Sequence, residues 1–210
     1  MKLVVLISGR GSNLRALLDA NLPAAVVAVL SNRESAAGLQ LACERGIPTR
    51  AIAHTAFASR AEFDQAMMQE IDGYAPDLVV LAGYMRILTD EFVQHYAGRL
   101  MNIHPSLLPS YPGLHTHARA LADGVKIHGC TVHLVTPTLD HGPIIAQAAV
   151  VVRGDDSAES LGARVLAAEH QLYPLAVRWF VERRLVLGND GRVNLLDGEG
   201  SEQSVFYLGG

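Results

Sequence analysis

The 210-residue sequence is 50% hydrophobic and 18% charged, a composition typical of one sizeable globular domain rather than of a disordered or fibrous segment. Its formal net charge of -4 and its lack of a Lys/Arg-rich run argue against a nucleic-acid-binding surface, because phosphate binding requires clustered positive charge. The two cysteines, Cys43 and Cys130, lie far apart and outside any C-x-x-C motif, so neither a disulfide framework nor a thiolate zinc site is indicated. We therefore expect a reducing, cytoplasmic compartment and neither a nucleic acid nor a membrane as partner.

The first hundred residues alternate between strand-like and helix-like segments. Leu3 to Ser8 form a continuous apolar run typical of a buried strand, and this run meets Gly9 too early for a signal peptide or a membrane span. The next apolar residues follow with helical spacing. The alternation continues with strands predicted at 25–30, 49–54 and 77–82 and helices predicted at 35–45 and 59–72. It predicts an α/β fold with a mostly parallel sheet, right-handed crossovers and helices on both faces.

After residue 100 the pattern changes. A strand predicted at 99–103 leads into a loop rich in Pro and Gly, and a short helix is predicted near 118–121. Two longer strands follow at 129–135 and 144–152, so we expect mixed strand pairing in the second half.

The remaining residues predict a long helix, a hairpin and a tail. Asp156 and Glu159 resemble a capping box ahead of an apolar stripe, so we expect a helix there that bends near Pro174. Short apolar segments on either side of Gly188-Asn189-Asp190-Gly191 predict a hairpin. The polar residues after Gly198 are expected to form a poorly ordered tail.

The segment Asn102-Ile103-His104-Pro105 carries the clearest catalytic signal. In a strand, Asn102 and His104 project from the same face, because side chains alternate between the two faces. An amide N–H and a protonated imidazole N–H are donors suited to the oxygen of a tetrahedral acyl-transfer intermediate. Taken alone, such a pair is more often structural, as a cap or as satisfied polar groups in a core.

The loop Gly9-Arg10-Gly11-Ser12-Asn13 follows the first predicted strand and opens the first predicted helix. It matches neither the dinucleotide-binding fingerprint nor the P-loop, so the sequence does not imply NAD or nucleoside triphosphate chemistry. Backbone N–H groups at a helix N-terminus, with Ser12 and Asn13 as further donors, would suit a small phosphate. An ordinary strand-to-helix turn with a polar cap explains the same residues equally well.

Asp140 lies in the turn sequence Leu139-Asp140-His141-Gly142-Pro143, where an Asp commonly bonds its own backbone. Close to His104, its carboxylate would instead favour the charged imidazolium, and it would receive through a water the proton that an attacking amine loses. The residues alone leave both interpretations open.

Five segments carry a family resemblance when they are taken together: Ser8–Leu14, Leu81–Leu88, Asn102–Pro109, Tyr111–His117 and Leu139–Ile145. In order and spacing they resemble the phosphoribosylglycinamide formyltransferases that use 10-formyltetrahydrofolate, over residues 1–185. The resemblance implies a Rossmann-like formyltransferase fold, with a single domain over residues 1–190. Within it we expect a nucleotide-binding half at 1–100 and a catalytic, folate-binding half at 101–190, followed by a C-terminal hairpin and tail at 191–210.

The resemblance also implies an enzyme of purine biosynthesis that moves the formyl group of 10-formyltetrahydrofolate to the amine of 5-phosphoribosylglycinamide without a metal. The catalytic residues that it implies are Asn102, His104 and Asp140. The residues implied for the ribonucleotide are Gly11, Ser12, Asn13 and Glu169. The residues implied for the folate are Arg60, Met85, Arg86, Ile87, Leu88 and Asn102.

Other interpretations stay open. Met85 and Leu88 are also typical core residues, Arg60 suits a solvated helix start, and Glu169 suits a surface. Nine histidines invite a metal site, although carboxylates and imidazoles at metal-ligand spacing are absent from the sequence. His141 and Ser110 depart from the family's commonest pattern, which has Gly and Lys there.

The rival functions are a folate-dependent deformylase, a formyltransferase acting on a tRNA or a sugar nucleotide, and a non-catalytic folate or nucleotide binding module. The catalytic trio argues against the binding module, which has no need of it. The loop at 11–13 favours a small ribonucleotide as acceptor. A monomer and a homodimer are both compatible with the sequence.

Overall fold

The computed structural model describes residues 1–196 and 205–207. These residues divide into two compact units. The first consists of Met1–Asn102 with Val135–Pro137, and the second consists of Ile103–Leu134 with the residues from Thr138 onward. The predicted α/β class with mostly parallel strands is confirmed.

The first unit is a parallel sheet with intervening helices. Its elements are β1 Lys2–Ile7, α1 Ser12–Asp19, β2 Ala25–Ser31, α2 Ala37–Glu44, β3 Thr49–Ala51, α3 Arg60–Asp72, β4 Leu78–Leu81, α4 Asp90–His95 and the beginning of β5 Leu100–His104. The strand order is β5-β4-β1-β2-β3, and each pair is parallel. The central strands β1 and β4 are buried almost throughout, which explains their unbroken apolar sequences.

The core of this unit lies between the sheet and helices α3 and α4. It includes Val4, Leu6, Leu30, Phe63, Met67, Ile71, Val79, Leu81, Phe92, Tyr96 and Leu100. The loop after β1 packs closely on α2, since a Cβ atom on Gly11 would lie 2.7 Å from the Cα atom of Gly38. The Gly38 N–H also donates to the Gly9 carbonyl at 3.1 Å. Gly11 itself has a φ of +78°, a backbone conformation that residues with a side chain rarely adopt.

The second unit combines antiparallel strands with one long helix. Its elements are α5 Thr116–Ala122, β6 Ile127–Leu134, β7 Ile144–Val151, α6 Ala158–Val181, β8 Leu185–Leu187, β9 Val193–Leu195 and β10 Val205–Tyr207. Strands β6 and β7 pair antiparallel, and β10 pairs parallel with β7. Helix α6 packs on β6 and β7 through its apolar stripe. The predicted mixed pairing and the predicted hairpin of β8 and β9 are both confirmed.

Several predicted elements were wrong in detail. Helix α4 was not predicted, because a six-residue helix is too short to show a periodic apolar pattern. The strand predicted at 49–54 ends at Ala51, and a short 3-10 helix at His54–Ala56 follows, where the His54 ring bonds the Asn32 carbonyl at 3.1 Å.

The start of α6 also differs from the prediction. The capping box is made by Ser157 and Ser160, not by Asp156 and Glu159. Asp156 instead bonds Arg164, whose guanidinium holds the pKa of that carboxyl well below its usual range. The helix continues through Pro174 to Val181.

Part of the predicted tail is ordered into a strand, since Val205–Tyr207 form β10. The rest of the predicted tail, at 198–204 and 208–210, lies outside the described residues. Within 1–196 and 205–207, none of the helices combines the length and hydrophobicity that a membrane crossing requires.

Candidate active site

His104 and Asp140 form a buried pair in the second unit. His104 is the last residue of β5, and its Nδ1 atom lies 3.5 Å from the Asp140 Oδ2 atom. Both side chains are more than nine-tenths buried. Asp140 has a φ of +51°, so the turn holds it in the left-handed region that Asp tolerates better than most residues. The structure thus brings together two of the three residues implied to be catalytic.

Backbone groups of one loop contact both members of this pair. The His104 Nε2 atom lies 2.9 Å from the Tyr111 carbonyl oxygen, and because a carbonyl only accepts, Nε2 must carry a proton. The Gly113 N–H donates to Asp140 Oδ2 at 2.8 Å. The Ser106 hydroxyl is shared between the Ser110 carbonyl at 2.7 Å and the Tyr111 carbonyl at 3.1 Å. Sequence reasoning missed these contacts, since backbone groups leave no signature in a sequence.

Asn102 is the third implied catalytic residue, and it lies on β5 two residues before His104. It is half-buried at the end of the first unit, where it stands opposite Leu81 in the register between β4 and β5. Its position at the carboxyl end of a parallel strand is where ligands bind in open α/β sheets.

The loop at 9–13 leads into the N-terminus of α1. Helix α1 begins at Ser12, and the residue before it, Gly11, has no side chain to cap the first turn. The N-cap makes no side-chain hydrogen bond and the first turn contains no acidic residue, and the backbone N–H groups at a helix N-terminus suit an anion. Ser12 is half-buried and Asn13 is buried, so both lie against the protein at the start of the helix.

Residues 85–88 follow β4 in the first unit, and we call them the folate segment after the role that the resemblance implies. Met85 and Ile87 are 62% and 55% exposed, whereas Arg86 and Leu88 are half-buried. Leu88 packs against the core cluster, and the Arg86 guanidinium lies 4.9 Å from the centre of the Phe63 ring. Met85 is therefore not a core residue, while Leu88 meets the core from its margin.

Arg60 and Glu169 differ sharply in environment. Arg60 is the exposed first residue of α3, which Ser59 caps by accepting from the Glu62 N–H at 3.2 Å. Glu169 lies on α6 and is only 6% exposed, so the alternative of a surface carboxylate is wrong. It lies near Cys130, and burial, with the charge of Glu169 as a second cause, raises the pKa of that thiol.

The second unit contains further histidines whose rings make hydrogen bonds. The His117 Nδ1 and His128 Nε2 atoms are 3.1 Å apart, and burial lowers the pKa of both rings, to about 4 for His128. His133 is 2% exposed and its ring bonds the Leu134 carbonyl at 2.9 Å. Across residues 1–196 and 205–207, His, Cys, Asp and Glu side chains nowhere gather in a group of three that suits a metal ion.

Residues 1–177 match the model of the family described as formyl transferase. The chain therefore belongs to the formyl transferase family.

Comparison with individual proteins gives more specific similarities than the family model does. A phosphoribosylglycinamide formyltransferase of Escherichia coli (strain K12) is 54% identical over 189 residues, which are 88% of this chain and 89% of that protein. A solved structure of the phosphoribosylglycinamide formyltransferase from Coxiella burnetii has a TM-score of 0.91 at 47% identity, over 100% of this chain and 99% of that one. A trifunctional purine biosynthetic protein adenosine-3 of Bos taurus is 44% identical over 196 residues, which are 91% of this chain and 19% of that protein.

Proposed function

We propose that this chain transfers the formyl group of 10-formyltetrahydrofolate to the amine of 5-phosphoribosylglycinamide, giving formylglycinamide ribonucleotide and tetrahydrofolate in purine biosynthesis. The observation that carries the proposal is the buried pair of His104 and Asp140 in a member of the formyl transferase family. The high identity to relatives named phosphoribosylglycinamide formyltransferase supports the choice of acceptor.

The reaction requires one bond to form and one to break at the formyl carbon. The neutral amine attacks that carbon, and the oxygen of the tetrahedral intermediate becomes negatively charged. We assign Asn102 and His104 to donate hydrogen bonds to this oxygen, since donors placed where charge develops lower the barrier most. The bond from the formyl carbon to N10 then breaks, and a proton lost by the amine is balanced by one gained at N10.

Asp140 has two roles in this scheme. Its carboxylate lies beside the His104 Nδ1 atom and orients the ring. It is also the nearby group that can accept the amine proton through a water. The loop contact to Nε2 adds a requirement, because the bond to the Tyr111 carbonyl must be exchanged before that N–H can reach a substrate oxygen.

The binding roles follow the geometry of each segment. We assign Gly11, Ser12 and Asn13, at the start of α1, to the phosphate of the ribonucleotide, and Glu169 to its amine. Arg60 is positive and exposed, which suits the acidic tail of a folate. The folate segment offers exposed apolar side chains and backbone groups to the heterocycle, with Asn102 on the folate side as well.

The proposal also includes the domain organisation, the cellular location and the oligomeric state of the protein. We assign residues 1–190 to one formyltransferase domain, with a nucleotide-binding half at 1–100 and a catalytic half at 101–190. We also propose a cytoplasmic location, with which the two free cysteines agree, and a monomer or homodimer.

One assay distinguishes this function from its rivals. Purified protein is incubated with 10-formyltetrahydrofolate, with and without 5-phosphoribosylglycinamide, and tetrahydrofolate and formate are measured. We expect tetrahydrofolate only when the ribonucleotide is present, with activity that survives EDTA. Equal release of formate without the acceptor would identify a deformylase, and activity lost in EDTA and restored by zinc would identify a metal enzyme.

A further inference from the structure

The folate segment presents large apolar side chains to solvent, while a side chain outside the segment accepts a hydrogen bond from its backbone. Met85 and Ile87 are more than half exposed, although burying such side chains is favourable. An exposed apolar surface of this kind commonly marks a binding site. Its usefulness to a ligand depends on what keeps the backbone beneath it in one conformation.

Ser8 holds the beginning of the segment. Its hydroxyl donates to the Asn32 Oδ1 atom at 2.6 Å, and the Met85 N–H donates to the same hydroxyl oxygen at 2.8 Å. A hydroxyl has one hydrogen, so the bond to Asn32 leaves the lone pairs of Ser8 to face Met85. Ser8 and Asn32 are 5% and 2% exposed, so both side chains are confined. The bond spans 77 positions of sequence.

Asp64 holds the residue that follows the segment. Its side chain lies on α3 and is 1% exposed, and its Oδ2 atom accepts from the Thr89 N–H at 2.7 Å. Thr89 is in turn the cap of α4, where its hydroxyl accepts from the Phe92 N–H at 3.3 Å. Burial raises the pKa of the Asp64 carboxyl, which the Thr89 bonds and the charges of Arg86 and Arg60 oppose.

The burial of the Asp64 carboxyl is unfavourable for the stability of the fold. Within the described part of the chain, its Oδ1 atom has no hydrogen-bond partner, and the same holds for the buried Arg86 Nε atom. A buried carboxylate without full hydrogen bonding is unfavourable, so packing alone would be better served by an apolar residue. One contact of Asp64 clearly fixes geometry, and that contact is to Thr89.

From these contacts we propose that Ser8 and Asp64 are positioning residues for folate binding. They hold Met85, at the beginning of the folate segment, and Thr89, directly after it, so that Met85 and Ile87 face the ligand before it arrives. Arg86 adds to this by packing back on Phe63, next to Asp64 on α3. A segment ordered in advance loses less entropy on binding, so the two residues act on folate affinity rather than on the chemical step. This inference rests on the proposed function for the identity of the ligand.

The test compares Ser8→Ala and Asp64→Ala with the unaltered protein. We expect each variant to raise the KM for 10-formyltetrahydrofolate about tenfold, since one hydrogen bond contributes about that factor. The kcat at saturating folate and the KM for the ribonucleotide should stay within twofold, as suits residues that touch neither the acceptor nor the formyl group. The Kd of tetrahydrofolate, measured by calorimetry, should rise in parallel.

Two further variants separate positioning from simple stability. Asp64→Asn keeps an oxygen for the Thr89 N–H, so it should restore most of the folate affinity. Asp72→Ala removes another carboxylate from α3, one that bonds the Tyr96 hydroxyl at 2.9 Å and the His95 ring at 2.8 Å. It should lower the Tm and leave the folate KM unchanged.

The outcomes distinguish this inference from the proposed function. If Ser8→Ala and Asp64→Ala lower the Tm but leave the folate KM and the tetrahydrofolate Kd unchanged, the positioning role is wrong. If Asp64→Ala does not fold, Ser8→Ala decides, because it removes a single oxygen atom. If the unaltered protein binds tetrahydrofolate but does not formylate the ribonucleotide, the proposed function fails and the Kd values alone judge this inference.

Discussion

In the folate segment, distant side chains hold a backbone, whereas around His104 a loop backbone holds reactive side chains. Ser8 and Asp64 bond the N–H groups of Met85 and Thr89 and leave the apolar side chains exposed. In the second unit, the carbonyl of Tyr111 is hydrogen-bonded to the His104 ring, and the N–H of Gly113 is hydrogen-bonded to the Asp140 carboxylate. Under our proposal, the first arrangement prepares a surface for a ligand. The second holds the side chains of His104 and Asp140 until a substrate replaces the loop as their partner.

The comparison predicts that the largest losses of turnover arise in the second arrangement. His104→Ala should lower kcat by about 10²–10³ with a smaller change in either KM, because its N–H matters most when charge develops on the formyl oxygen. Asn102→Ala should behave in the same way. Steady-state kinetics with both substrates varied checks this, with His95→Ala, an exposed histidine paired with Asp72, as the control. Near-normal kcat in either variant would remove that residue from the mechanism.

Asp140→Asn should cost somewhat less, about 10² in kcat. An amide oxygen still accepts from the Gly113 N–H, but the residue no longer presents a carboxylate to His104 or to the proton of the amine. The loop geometry should therefore survive while the chemistry fails. Steady-state kinetics measures the loss of kcat, and NMR of the His104 ring shows whether the geometry around it survives. Unchanged kcat would show that Asp140 is only a turn residue.

In the first unit, changes to residues 11–13, which we propose bind the phosphate, should alter binding and not chemistry. Ser12→Ala or Asn13→Ala should raise the KM for the ribonucleotide about tenfold, since each removes one donor to the phosphate. The KM for the folate should stay within twofold. A selective rise in the folate KM would mean that the phosphate does not bind at the start of α1.

The smallest effect concerns stability and pH in the second unit. The pKa of His128 is lowered to about 4, mainly by burial, from an ordinary value of 6.5. Between these values the unfolded chain binds a proton that the folded protein does not, so stability falls as the pH drops from 6.5 toward 4.

His128→Gln should reduce this acid sensitivity. The difference in Tm between pH 7 and pH 5 should shrink by a few degrees, in line with about 2–4 °C per kcal/mol for a domain of this size. His141→Gln, which alters an exposed ring, is the matched control and should leave the difference unchanged. Equal acid sensitivity in the His128 variant would show that other groups cause it.

The sequence allowed the prediction of those features that depend on long apolar runs or on recognisable motifs. β1 and β4 were predictable because both faces of each strand are buried, and the hairpin of β8 and β9 because glycines mark its turn. Helix α4 was missed because its only buried residues are Phe92 and Val93, too few to show a period. Glu169 was misjudged as a possible surface residue because a carboxylate is rarely buried.

The proximity of His104 and Asp140 could be predicted from the sequence, but the backbone contacts around them could not. The family resemblance paired His104 with Asp140, and the structure places them 3.5 Å apart. The carbonyl of Tyr111 and the N–H of Gly113 occur in every residue and have no distinguishing letter, so their part in the site was invisible. Ser8 and Met85 lie 77 positions apart, and a serine after a buried strand does not indicate what its hydroxyl will bond. The roles assigned to the site residues stay predictions.

The contact between Gly11 and Gly38 bears on how natural variation in this chain is interpreted. A Cβ atom on Gly38 would lie 2.6 Å from the Ile7 Cδ1 atom and 3.1 Å from the Gly11 Cα atom. Selection should therefore favour glycine at position 38, because a Cβ atom there would require both the Ile7 side chain and the Gly11 backbone to shift. In a survey of tolerated substitutions, a preference for glycine at position 38 would then reflect the space between two backbones and would not indicate a catalytic function.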